Sequence, residues 1–286
     1  MLGFACLLIG AVCHADPSPD GRLKHAPALL VVENLTLDLS GRRILREINL
    51  TVAPGEFLGV IGPNGGGKTS MLRVLLGVLQ PSAGRVRWTP AADGGHPHIG
   101  YVPQRGGTDR NFPLSSREVV KQGRSGARPF FGVAARGLNR RTDELLERVG
   151  LAEQADTPFV YLSGGQQRRL LLARSLMDSP TAVLLDEPTA GVDTEGQRKF
   201  CAILSELSAQ GIAIVLVSHD IPLITRYARR IACLAVTLHW HGAADALEQR
   251  TVPDAYRCEL ERYEVSAKES RAPAAGHPAH EHVHHD

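Results

Sequence analysis

One stretch of the sequence limits the possible folds more than any other. It contains the apolar run Phe57 to Ile61, the glycine-rich run Gly62 to Ser70, and an apolar segment that begins at Met71. A short apolar run predicts a buried strand, and the residues after the glycines predict a helix. The glycine-rich run contains the pattern G-x-x-x-x-G-K-[ST] between this strand and this helix. The stretch therefore predicts a phosphate-binding loop.

Each residue type in this loop suits the binding of a phosphate group. Glycine lets the backbone turn its N–H groups inward, where a Cβ atom would block the approach of the phosphate. The N-terminus of the following helix adds partial positive charge. Lys68 can reach the β- and γ-phosphates, and Thr69 can bind Mg²⁺. The residues predicted to bind a nucleoside triphosphate are Gly62, Pro63, Asn64, Gly65, Gly66, Gly67, Lys68, Thr69 and Ser70.

Composition narrows the class of protein. The 286 residues allow one large domain or two small ones, and a hydrophobic content of 43% supports a globular core. A net charge of +2 gives no reason to expect a nucleic acid partner. No apolar run approaches the ~20 residues of a membrane-spanning helix. The five cysteines are scattered, as expected for a protein of the reducing cytosol.

Residues 1–27 are expected to form an N-terminal extension. Leu2 to Val12 is apolar and Cys13 to Ala15 resembles a signal cleavage site, yet no Lys or Arg precedes the apolar run. An ATPase also needs cytosolic ATP. Three interpretations stay open: a non-functional extension or misassigned start, a membrane-surface contact, and a true export signal.

The rest of the pattern predicts an α/β fold. Leu35 to Leu39 and Ile48 to Val52 alternate apolar and polar residues, which predicts strands of an antiparallel sheet. Later, apolar strands alternate with amphipathic helices, which predicts a mainly parallel sheet with helices on its faces. Such sheets bind ligands at the carboxyl ends of their strands. The phosphate loop lies at such an end, and so do Gln104, Asp186, Glu187 and His219.

These strand-end residues are candidates for catalysis. Asp186 is a candidate magnesium carboxylate. Glu187 could orient or deprotonate the attacking water, and His219 could stabilise the charge that develops on the γ-phosphate. The alternatives are a solvated carboxylate, a structural histidine and, for Gln104, a plain loop residue. We predict Glu187, His219 and Gln104 as the catalytic residues.

Residues of about 106–178 differ in character and predict a helical subdomain inserted into the α/β core. Ser115 and Glu118 have the spacing of a capping box. A helix face that includes Leu145 to Val149 ends at Gly150.

A second anion cradle is predicted where Ser163, Gly164 and Gly165 open a helix. One nucleotide does not need two separate cradles from the same subunit. The simplest explanation is a symmetric pair of chains, in which each cradle serves the nucleotide held by the other copy.

Together these motifs resemble those of ABC transporter ATP-binding subunits, over about residues 28–247. The matching motifs are the Walker A loop (Gly62 to Thr69), the Q-loop (Gln104), the LSGGQ signature (Leu162 to Gln166), Walker B (Val183 to Glu187), the D-loop (Ala190 to Asp193) and the switch histidine (His219).

The resemblance implies a homodimer that closes head to tail on two ATP molecules, and transmembrane permease subunits as partners. It implies a peripheral location on the cytoplasmic face of the inner or plasma membrane.

One position departs from the family, because Leu39 stands where an aromatic residue usually stacks on adenine. Outside the phosphate loop, the residues implied to bind ATP are Ser163, Gly164, Gly165, Gln166, Asp186 and Asp193. The residues implied for Mg²⁺ are Thr69, Gln104 and Asp186.

Further residues resemble the divalent-metal import branch of the family. They are Gly65 to Gly67 within Walker A, then Ile99 to Arg105, Asp109, Phe112 and Pro113. The tail adds a cluster of imidazoles, which bind Zn²⁺ well. Zinc-import ATPases of this type can carry such tails, and the alternative is an inert polar tail. The candidate zinc-sensing residues are His277, His280, His282, His284 and His285.

The sequence therefore predicts an ATPase that powers import of divalent metal ions, with zinc as the first choice. It would work through its permease with a periplasmic or extracellular metal-binding protein. The alternatives are a manganese or iron importer, a soluble ABC ATPase without a transport role, and a metal-binding module whose tail is the main function. The predicted division is an extension over 1–27, an ATPase domain over 28–250 and a C-terminal extension over 251–286.

Overall fold

The computed structural model describes residues 28–90, 94–104, 114–124 and 133–243. The two predicted extensions lie entirely outside the described residues, and so do residues 244–250 at the end of the predicted ATPase domain. The same holds for Arg105, Asp109, Phe112 and Pro113, and for the five tail histidines.

The strands of the described residues form two sheets. A three-stranded antiparallel sheet has the order β2-β1-β4, and a six-stranded sheet has the order β5-β6-β7-β3-β8-β9. Within the larger sheet only the β8–β9 pair is antiparallel among the described strands. The predicted α/β architecture is confirmed. The strands are β1 Leu30–Leu39, β2 Arg42–Val52, β3 Phe57–Ile61, β4 Ala83–Trp88, β5 Ile99–Val102, β6 Ala182–Asp186, β7 Ala213–Val217, β8 Arg230–Ala235 and β9 Thr237–Ala243.

The helices connect these strands and cover the larger sheet. No helix in the described part of the chain is long and apolar enough to cross a membrane. The helices are α1 Lys68–Leu75, α2 Ser116–Lys121, α3 Val133–Arg148, α4 Gly164–Ser175, α5 Thr194–Ala209 and α6 Ile221–Tyr227.

Helix α1 is shorter than its apolar pattern predicts. It ends at Leu75, because Gly77 adopts φ +72° and turns the chain. Val78, which the pattern assigns to the helix, follows this turn and is 68% exposed. The indole Nε1 of Trp88 donates to the Leu75 carbonyl at 2.9 Å and satisfies one of the last helical carbonyls.

The central strands β3, β6 and β7 are buried along their whole length, as expected for parallel strands covered on both faces. Their alternate side chains belong to two apolar cores. Phe57 and Ile61 pack in the core that includes α4 and α5, whereas Leu58 and Val60 pack in the core that includes α1 and the antiparallel sheet. Because a shift of one residue would exchange these two faces, the register of the sheet is firmly specified.

The helical part of the chain follows the predicted signals. Ser115 caps α2 with the reciprocal hydrogen bonds of a capping box, in which Glu118 is the partner. Helix α3 ends at Arg148, and Gly150 then adopts φ +67°. Helices α2, α3 and α4 contribute to one apolar core. The division into subdomains stays a prediction.

A buried ion pair joins the entry of β3 to the start of β8. Arg230 Nε lies 2.7 Å from Glu56 Oε1, and both side chains are at most 10% exposed. The other carboxylate oxygen of Glu56 accepts from the backbone N–H of Ala53 at 2.7 Å. Arg230 also donates to the carbonyl of Thr51 at the end of β2. These contacts link both sheets.

We expect Glu56→Ala to lower the free energy of unfolding by about 3–5 kcal/mol, because it leaves the Arg230 guanidinium buried without its carboxylate. Urea unfolding of the nucleotide-free chain measures this. Lys199→Ala is the matched control, since it breaks the exposed Lys199–Glu195 pair and should cost no more than ~0.5 kcal/mol. If both variants lost the same free energy of unfolding, the buried pair would contribute no more than the exposed one, and the prediction would be wrong.

Candidate functional site

The phosphate loop runs from the carboxyl end of β3 to the start of α1, and its glycines lie against neighbouring backbone. A Cβ atom at Gly62 would lie 2.0 Å from the Leu234 carbonyl oxygen, and one at Gly66 would lie 2.9 Å from the same oxygen. A Cβ at Gly67 would lie 2.9 Å from the Ile44 carbonyl oxygen. The approach of a phosphate is one reason for glycine at these positions. The structure adds a second reason, because the loop packs closely against β2 and β8.

Lys68 places its ammonium group inside the loop. Its Nζ donates to the carbonyl oxygens of Gly62 and Pro63, each at 2.8 Å. Burial lowers the pKa of Lys68, and the carboxylates of Glu187 and Asp186 act in the opposite direction. The loop thus holds a desolvated cation at the point where nucleotide phosphates would bind.

Asp186 ends β6 beside this cation and is 2% exposed. Its Oδ1 is buried without a hydrogen-bond partner. Burial raises the pKa of Asp186, whereas a hydrogen bond with Thr69 lowers it. A buried carboxylate oxygen without a partner beside a hydroxyl group suits Mg²⁺, which prefers oxygen ligands. Thr69 and Asp186 therefore fit the predicted magnesium site.

Three further predicted residues meet at the carboxyl ends of the adjacent strands β5, β6 and β7. Gln104 Nε2 donates to Glu187 Oε2 at 2.9 Å. His219 Nδ1 lies 3.4 Å from the same oxygen. Glu187 is largely buried and His219 is exposed. The carboxylate of Glu187 is thus the centre of this group, and its two neighbours fix its orientation.

The backbone at Glu187 is strained. Glu187 adopts φ +45°, and its N–H donates to the carbonyl of Val217 on β7 at 2.9 Å. A non-glycine residue in this region costs roughly 1–3 kcal/mol, and such strain persists where the surroundings impose it. The fold therefore maintains one particular direction for this carboxylate.

The second cradle lies at the start of α4 and is open to solvent. Ser163 caps the helix, because its hydroxyl accepts from the N–H of Gln166 while its own N–H donates to the Gln166 side chain. A Cβ at Gly165 would lie 3.4 Å from Val192 of the predicted D-loop. Asp193 is the N-cap residue of α5 and is exposed, and its side chain makes no capping hydrogen bond.

Two contacts of the signature helix were not anticipated from the sequence. Arg168 Nη1 donates at 3.3 Å to the carbonyl of Pro103, which precedes Gln104. Gln167 Nε2 donates to two carbonyls ahead of the helix. The sequence shows four consecutive polar residues, from Gln166 to Arg169, ahead of the apolar part of the helix. It does not show which backbone carbonyls their side chains reach. The Arg168 contact connects the second cradle to the Gln104–Glu187 group.

Comparisons with known proteins identify the family of this chain. Residues 45–190 match the family model described as ABC transporter. The chain is 39% identical over 207 residues to the zinc import ATP-binding protein ZnuC of Cereibacter sphaeroides, which covers 72% of this chain and 79% of that protein. It is 35% identical over 220 residues to a protein of Thermotoga maritima named "Probable metal transport system ATP-binding protein", with 77% and 86% covered. Among solved structures, cbiO1 of Clostridium perfringens, part of the ABC transporter complex cbiONQ, superposes with a TM-score of 0.67 at 26% identity and covers 84% of this chain and 99% of that one.

We expect Asp186→Asn to stabilise the nucleotide-free chain at neutral pH by on the order of 1 kcal/mol, because it removes a buried charge with an unpartnered oxygen. The pKa of Asp186 is raised in the folded chain, so its ionisation costs free energy only in the fold. That cost is complete above the folded pKa and disappears below the ordinary value of ~3.9. The advantage of the variant should therefore shrink as the pH falls.

Thermal unfolding of both proteins at neutral pH and at about pH 4 measures this difference. A variant that is less stable than the parent at neutral pH would contradict the assignment of an uncompensated charge to Asp186.

Proposed function

Because the chain belongs to the ABC transporter family of ATP-binding subunits, we propose that it hydrolyses ATP to power an importer of divalent metal ions, with zinc as the transported ion. The observation that carries the ATPase proposal is that Lys68, in the phosphate loop at the start of α1, interacts electrostatically with Asp186 and Glu187 at the end of β6. The metal rests on the relatives, which are named for zinc import and for metal transport. A manganese or iron importer is the runner-up.

The chain binds ATP and its Mg²⁺ through the phosphate loop. Lys68 would exchange its two loop carbonyls for oxygens of the β- and γ-phosphates. Thr69 and Asp186 would hold Mg²⁺, and the unpartnered Oδ1 of Asp186 would gain a ligand. Mg²⁺ held there would supply positive charge that offsets the negative charge of the phosphates.

Glu187 is the proposed general base. Its carboxylate is fixed by Gln104 and faces His219, so it can accept a proton from a water molecule that attacks the γ-phosphate. Gln104 orients this water together with Glu187. His219 lies at the end of the neighbouring strand and is proposed to stabilise the negative charge of the leaving and transferred groups.

Subunits of this kind work as dimers with transmembrane permease partners. We propose that the exposed cradle at Ser163 to Gln166 covers the nucleotide of the other copy, with Asp193 beside it. Support comes from the helix N-terminus itself, which suits an anion and begins at the exposed residues Ser163 and Gly164. The permease would place the chain on the cytoplasmic face of the membrane, and a metal-binding protein outside would deliver the ion.

We expect Glu187→Gln to keep ATP binding and to lower the hydrolysis rate by roughly 10²–10⁴-fold, because the amide cannot accept the proton. Single-turnover hydrolysis and equilibrium binding of ATP measure the two quantities separately. Glu195→Gln, which changes an exposed carboxylate on α5, is the control and should keep the parent rate. A near-normal rate in Glu187→Gln would remove this residue from the role of base.

We propose that the tail histidines His277, His280, His282, His284 and His285 form a zinc-responsive regulatory segment. A tail on the ATPase cannot select an ion that arrives from outside, but it can sense the ion after import. Five imidazoles within ten residues can supply three or four ligands, at the entropic cost of closing the chain around the ion. The affinity should fall below the imidazole pKa of ~6.5.

Calorimetry of the full-length chain against a chain that stops at Ala275 tests this proposal. Zinc should bind, and should change the ATPase rate, only in the full-length chain. Equal zinc binding by both chains would contradict the role of the tail and make His96 and His98 the next candidates, since both are exposed.

A further inference from the structure

An aromatic side chain stands exposed directly ahead of the second cradle. Three large hydrophobic side chains are exposed in the described part of the chain, and Tyr161 is the most exposed of them at 79%. It lies two residues before Ser163, the N-cap of α4. A single exposed hydrophobic residue is common on protein surfaces, so exposure alone indicates no ligand. The backbone around Tyr161 gives the second observation.

This backbone is held rigidly on both sides of Tyr161. Phe159, two residues before the tyrosine, and Leu162, directly after it, are buried in the apolar core. Gln167 Nε2 donates to the carbonyls of both flanking residues, each at 3.1 Å. The N–H of Tyr161 itself donates to the Pro158 carbonyl at 3.0 Å. The two buried neighbours and the glutamine therefore keep the tyrosine ring on the surface, so little backbone entropy is lost when it makes a contact.

The ring of Tyr161 is close enough to the second cradle to reach a nucleotide that is bound by the other copy. Leu162 and Ser163 have extended backbone, with ψ 144° and 159°, so Tyr161 starts within about 7 Å of the capped helix N-terminus. Phosphates that lie against Ser163 would leave the nucleoside beside this ring. The base is the part of a nucleotide with a π face. On the chain's own antiparallel sheet, the exposed hydrophobic residue is Leu39, which is aliphatic.

We propose that Tyr161 stacks on the base of the nucleotide that is bound to the phosphate loop of the partner copy. The proposal rests on the proposed sharing of the nucleotide between two copies. Tyrosine gives a large contact area with few rotatable bonds. Stacking tolerates different bases, because each base has a π face. The contact should therefore increase the affinity for both adenine and guanine nucleotides.

The first experiment uses the full chain with Glu187→Gln, so that the nucleotide persists. Light scattering gives the ATP concentration at which half of the chains are dimeric. Tyr161→Ala should raise this concentration by on the order of tenfold, and Tyr161→Phe should leave it unchanged because the ring is kept. An unchanged value in Tyr161→Ala would overturn the proposal.

The second experiment asks whether the ring contacts the base and in which copy. With saturating etheno-ATP, a fluorescent adenine analogue, dimers of the parent and of Tyr161→Phe should show quenched emission, and dimers of Tyr161→Ala should not. Equal emission from all three would show that the ring contacts protein instead, and would overturn the proposal. In a monomeric Ser163→Arg background, Tyr161→Ala should leave the ATP affinity unchanged.

A loss of affinity in that monomeric background would place the ring on its own nucleotide and would also overturn the proposal. Failure of the shared site itself has a different signature, namely ATP-dependent dimers that persist in Ser163→Arg while Tyr161 is intact. The two failures are therefore distinguishable.

Discussion

The buried ammonium group of Lys68 is the charge on which the site depends. It is held by two loop carbonyls and lies beside the carboxylates of Asp186 and Glu187. Each of these groups is desolvated, and desolvation disfavours a charge unless partners compensate for it. The compensation is incomplete, since one oxygen of Asp186 has no partner and the backbone at Glu187 is strained. A cation beside Asp186 and phosphates beside Lys68 would supply the partners that these groups lack.

The parallel sheet makes this arrangement possible. Its register places the ends of β5, β6 and β7 side by side, so Gln104 and Glu187, which are 83 positions apart in the sequence, meet within hydrogen-bond distance. The same sheet supports the helical part, where Arg168 joins the signature helix to the segment that carries Gln104. A displacement of α4 would therefore change the position of Gln104 relative to Glu187. The fold thus connects the second cradle mechanically to Glu187, the proposed general base.

The sequence predicted those parts of the fold that local chemistry determines. The strand, glycine loop and helix around Lys68 have an unambiguous order, and the capping box at Ser115 formed as its spacing required. The rule that ligands bind at the carboxyl ends of parallel strands predicts that Gln104, Glu187 and His219 lie together, as they do. Strands β8 and β9 were not predicted, because a parallel pairing such as that of β8 with β3 depends on contacts distant in sequence. The length of α1 was overestimated, because the apolar pattern continues past Gly77 while the backbone does not.

The sharing of each nucleotide between two copies is the central claim, and a mixture of two variants tests it most directly. Lys68→Ala keeps the cradle but loses the phosphate-binding cation, whereas Ser163→Arg keeps the loop but blocks the cradle. With Glu187→Gln present in both, each variant alone should stay at the monomer mass of 30.8 kDa when ATP is added. The mixture should form a species of twice that mass, because a mixed pair contains one complete site. Dimers formed by Ser163→Arg alone, or a mixture of folded variants that stays monomeric, would contradict the account.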